Sequence, residues 1–108
     1  MDRAGRLAEQ LASLEGEYRS LLTRLLAECA SGRWGLFGHN EHLHPVARLA
    51  GLDELRALAE SIDRLRERLG EAQFPLHQEF EAARGRPGPN DPGEPKQARD
   101  WLQRLTGS

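Results

Sequence analysis

The chain is poor in β-formers: among its 108 residues only Thr23, Val46, Ile62 and Thr106 are β-branched. Leucine carries most of the apolar content and Ala, Glu, Arg and Gln fill much of the rest, so local propensity points to helix throughout. A single cysteine, Cys29, excludes an internal disulfide framework and fits a reducing compartment. Lysine is nearly absent, with Lys96 the only one against many arginines, a bias that points to a GC-rich bacterial genome. Neither sign of charge dominates. The formal net charge is -2 with 30% charged residues, which argues against a dedicated nucleic-acid binder or a polybasic membrane-surface helix. No apolar run approaches the length of a membrane span, and the first residues, MDRAGRLAEQ, contain no apolar signal-peptide core. The expected setting is cytoplasmic, without membrane or nucleic-acid partners.

What is present is leucine at helical spacing. Leu7, Leu11, Leu14, Tyr18, Leu21 and Leu25 recur in steps of four and three, the stripe of a helix over Arg3–Ala30. Leu22, Leu26 and Cys29 add a flanking row, so the Leu21–Cys29 end is expected to meet the thickest core. Gly32 is placed as a left-handed C-terminal cap. A second stripe runs through Leu55, Leu58, Ile62, Leu65 and Leu69 and keeps its phase through Ala72, Leu76, Phe80 and Ala83, across Gly70 and Pro75. That continuity predicts one long helix kinked near Pro75, or two nearly coaxial helices. Before it, Pro45 is suited to open a short helix ending at Gly51, and Leu52-Asp53 reads as a staple and N-cap.

The fold class expected is therefore all-α. It comprises an antiparallel hairpin over residues 1–84, a Pro/Gly linker over 85–95 and a short docking helix over 96–108. Dimerisation would complete a four-helix bundle. Leu7, Leu11 and Leu14, with coiled-coil-like alternation, are the expected seam for a second copy or a partner helix. Trp101 and Leu105 on the last helix are further contact candidates.

One segment differs in kind. Residues 32–44, GRWGLFGHNEHLH, combine three glycines with Trp34, Leu36 and Phe37, then His39, His42 and His44. The three histidines are candidate ligands for a transition metal such as zinc, although H-x2-H-x-H is no standard ligand spacing. The bland alternative is exposed loop histidines, with His44 capping the helix that follows. Arg33, Trp34 and Phe37 are candidates to shape a ligand pocket, with Trp34 and Phe37 as a plug over the hairpin's end the favoured alternative. No nucleophile sits in a motif with a base, the phosphate-binding glycine motifs are missing, and neither stripe carries Glu-x-x-His. The functional expectation is a non-enzymatic helical interaction protein without a cofactor. A metal- or small-ligand-binding protein with its site at 32–44 is the competing reading.

Overall fold

The computed structural model describes residues 3–32, 36–37, 46–85 and 94–107. They form four helices: α1 (Arg3–Ala30), α2 (Val46–Arg68), α3 (Pro75–Gly85) and α4 (Glu94–Thr106). There is no strand among the described residues, and the molecule is elongated, 51 × 26 × 23 Å. The long dimension is set by α1, whose 28 residues span about 42 Å at the α-helical rise.

α1 follows its leucine pattern closely. Leu21, Leu22, Leu25, Leu26 and Cys29 are all buried, whereas toward the other end only Leu11 and Tyr18 are. The double row of apolar residues thus marks where neighbours crowd on more than one side. The helix closes at Gly32, which adopts φ +84° and donates its N–H to the Cys29 carbonyl at 3.0 Å.

α2 departs from the expected pattern at both ends. The anticipated short helix to Gly51 and the separate helix capped by Asp53 are one continuous helix from Val46. Gly51 lies inside it and is buried, because a Cβ there would sit 2.7 Å from Cδ2 of Leu25. The glycine therefore serves close approach of α2 to α1, not chain termination. Near the other end of α2, Arg66 donates from Nε to Glu15 Oε2 of α1 at 3.1 Å.

The expected kink at Pro75 is also replaced. α2 ends at Arg68, residues 69–74 are non-helical, and Pro75 opens a separate α3. Gly70, at φ +75°, is the left-handed residue of a Schellman stop: Gly70 N–H bonds the Glu67 carbonyl at 3.0 Å and Glu71 N–H the Arg66 carbonyl at 2.8 Å. The chain then turns back. Phe74 packs edge-on to Tyr18, with ring centroids 5.0 Å apart, and Arg84 donates from Nε to the Leu36 carbonyl, beyond the end of α1, at 2.7 Å. α3 therefore folds back toward the middle of α1, where its His77 meets Tyr18, instead of extending α2. Ala72, assigned to the continuing stripe, is exposed; Phe74, with 3% of its surface accessible, fills the core instead.

α4 packs on α1 of its own chain. Its Ala98 is fully buried, Trp101 stacks edge-on to Phe80 at 5.7 Å, and Arg104 pairs with Glu79 of α3. Thirteen residues form too short a helix to persist alone, so this docking is what stabilises it. All four helices contribute to a single apolar cluster, built around Tyr18, Leu22, Leu55, Ile62 and Phe80.

Two glycine substitutions separate the backbone cause from the packing cause. Gly70→Ala meets open space but must hold a left-handed conformation, and should cost about 1 kcal/mol. Gly51→Val should cost about 2 kcal/mol by overpacking against Leu25. Urea unfolding of both variants checks the two values.

Candidate functional site

Three constellations of polar side chains stand out, and they differ in what they can do. The most buried is Tyr18 with His77. The Tyr18 hydroxyl lies 2.7 Å from His77 Nδ1, and the rings meet edge to face at 5.5 Å. Tyr18 has no exposed surface, because the aromatic wall of Phe74 closes one side while α3 closes the other. Burial raises its hydroxyl well above the ordinary tyrosine range, with the charge of Glu81 adding to the effect. The hydroxyl therefore keeps its proton, and the direction of its hydrogen bond with Nδ1 follows the tautomer of the imidazole. Burial also lowers the pKa of His77 below its ordinary value; Glu81 and Asp63 oppose that shift, while Arg56 and Arg84 reinforce it. The pair is a hydrogen-bonded contact that ties α1 to α3.

The second constellation is a cleft of about 360 Å³ where α1, the 69–74 turn, α3 and α4 meet. Its walls carry ion pairs. Arg66 joins Glu15 and also donates from Nη1 to the Ala72 carbonyl at 2.9 Å, while its guanidinium lies over the Phe74 ring at 5.5 Å. Arg104 pairs with Glu79 and covers Trp101 at 4.8 Å. Asp63 completes the turn by accepting the Phe74 N–H at 2.8 Å. These groups bind one another and hold the chain reversal.

The third is a groove of about 520 Å³ between α1 and α2, lined by Gly16, Glu17, Ser20, Leu21, Arg24, Glu54 and Leu58. No residue of α3 or α4 lines it. Leu21 is buried and Leu58 half-buried, and they form an apolar floor; Glu17, Arg24 and Glu54 are exposed at the rim. Neither Glu17 nor Arg24 makes an ion pair or hydrogen bond among the described residues.

The residues singled out from the sequence are distributed unevenly over these places. Phe37 is 2% exposed and meets Phe80 edge-on at 6.1 Å, next to the fully enclosed Leu36. Leu11 is buried, while Leu14, Trp101 and Leu105 are partly buried against the core, and Leu7 is half-buried. Arg33, Trp34, His39, His42 and His44 lie outside the described residues. Among the described residues no group of three or more His, Cys, Asp or Glu side chains is placed to hold a metal, and no helix is long and apolar enough to cross a membrane.

Sequence reading missed Arg66, Asp63 and Arg84 because a charged residue on a helix reads as solvated surface. Only the chain reversal gives the first two backbone partners to serve. Phe74 falls off the helical period of the second stripe, and its place just before Pro75 is the one signal in the sequence that marks it.

No protein-family model, curated protein or solved structure matches the chain.

The His77 contact has a pH consequence. Its folded pKa lies below the 6.5 of a free imidazole, so the unfolded chain binds the proton first. The stabilisation is complete above pH 6.5 and declines as pH falls through the folded-state value. Urea midpoints measured between pH 7.5 and 5 should fall in the wild type. The fall should be smaller in His77→Gln, which is less stable at neutral pH.

Proposed function

We propose that this protein is a small non-enzymatic interaction module that acts by self-association, with α1 and α2 forming an antiparallel hairpin that pairs with a second copy. The observation that carries this reading is the α1–α2 groove. It has an apolar floor at Leu21 and Leu58, small residues at Gly16 and Ser20, and a charged rim, on a face that the chain's own α3 and α4 leave uncovered. The hairpin is supported by Gly51 against Leu25 together with Glu15 bonded to Arg66, since residue numbers fall in one helix as they rise in the other.

The seam lies on the groove side of α1, because Leu11 and the apolar side of α4 are engaged within the chain. Leu11→Asp therefore tests folding and not association.

The groove itself is tested at Ser20, which is exposed. Sedimentation equilibrium at micromolar concentration should report a dimer for the wild type. Ser20→Trp, which fills the groove from an exposed position, should shift the protein to monomer with an unchanged helical circular dichroism spectrum. A wild type that stays monomeric across the micromolar range overturns the reading.

A further inference from the structure

Building on the self-association reading, we infer the geometry of the interface. The second copy docks with its α1 antiparallel to the first α1, about a two-fold axis near Ser20 and Leu21, so that Glu17 of each protomer pairs with Arg24 of the other. A closed dimer uses the same patch twice, so the patch must be complementary to itself. Positions 17 and 24 meet that condition in an unusual way. They are seven residues apart, hence on one face of the helix and separated by about 10 Å along it. They carry opposite charges and line the same groove. The midpoint between them falls at Ser20 and Leu21.

The two charges are also available. Glu15, Glu79 and Glu81 are each engaged by an arginine of the same chain. Glu17 and Arg24, by contrast, make no such contact among the described residues, and both are exposed. The neighbouring Gly16, where a Cβ would meet nothing within 4 Å, leaves room for a facing helix. A parallel arrangement would set Glu17 against Glu17 and Arg24 against Arg24. In the antiparallel one Ser13 falls opposite Glu28, and no like charges are forced together. Charge therefore selects the antiparallel dimer.

The test is a charge swap read by sedimentation equilibrium on the full chain. Glu17→Arg and Arg24→Glu each place like charges at both symmetric contacts, and each should weaken the dimer about tenfold. The double variant, with the pair reversed, should return to the wild-type dissociation constant. An equimolar mixture of the two single variants should form the mixed dimer in preference to either homodimer, which native mass spectrometry resolves. Recovery in the mixture also shows that the single variants are folded. A wild-type dimer indifferent to either single change overturns this orientation and leaves self-association standing. Single changes that weaken the dimer without recovery in the double variant or the mixture also overturn it. A monomeric wild type removes both readings.

Discussion

The structure depends on the reversal of the chain between α2 and α3. Had the helix continued through Pro75, Phe80 would lie beyond the end of the core instead of inside it, and α4 would lose its contacts through Trp101 to Phe80 and through Arg104 to Glu79. Two kinds of interaction hold the turn. Gly70 takes the left-handed backbone that ends α2, and Arg66 and Asp63, from the last turns of that helix, bind the Ala72 carbonyl and the Phe74 amide. A helix stop alone leaves the direction of the following segment open. The side-chain bonds from α2 to the turn fix it, and Arg66 adds a third tie through Glu15 of α1.

With the reversal in place, aromatic contacts organise the space it creates. Phe74 and His77 stand against Tyr18, while Phe80 takes Phe37 on one side and Trp101 on another. Edge-to-face contacts of this kind add to the area they bury and set the angles between elements. Through Phe80 the 36–37 segment and α4 are coupled to the same ring, so residues distant in sequence share one neighbour. Arginine finishes the arrangement from outside: Arg84 binds the Leu36 carbonyl and lies over Phe80 at 5.9 Å. The preference for arginine over lysine thus has a structural use here, because a planar guanidinium can bond a carbonyl at its edge and stack at its face.

This intrachain packing changes the basis for association. Part of the leucine stripe of α1 is covered within the chain, where α3 and α4 contribute to the same apolar cluster. What remains is a different surface, the α1–α2 groove, with a mixed apolar and charged lining. An interface of that composition suits a reversible association better than an obligate one, whose core is more apolar. The proposed pairing of Glu17 with Arg24 would contribute orientation more than affinity, as exposed ion pairs do.

The all-helical class, the extent of α1 and the concentration of its buried side chains at Leu21–Cys29 were legible in the sequence, because helical periodicity is a local property that needs no knowledge of neighbours. So was the stop at Gly32. The path after Arg68 was not. The stripe kept its phase across 69–74 by coincidence of spacing, and phase carries no information about whether the axis continues or folds back. Gly51 looked like a terminator because glycine has two uses, and only the approach of Leu25 distinguishes them. Phe37 presented the same ambiguity between pocket wall and plug, and its burial against Phe80 depends on where α3 lies. Sequence alone determined which segments are helices and which of their faces are apolar, since both follow from the order of residues within a few turns. Tertiary structure alone decided which apolar face meets which, and therefore which surface is left for another molecule, because that depends on one chain reversal held by bonds between residues whose sequence reads as ordinary surface.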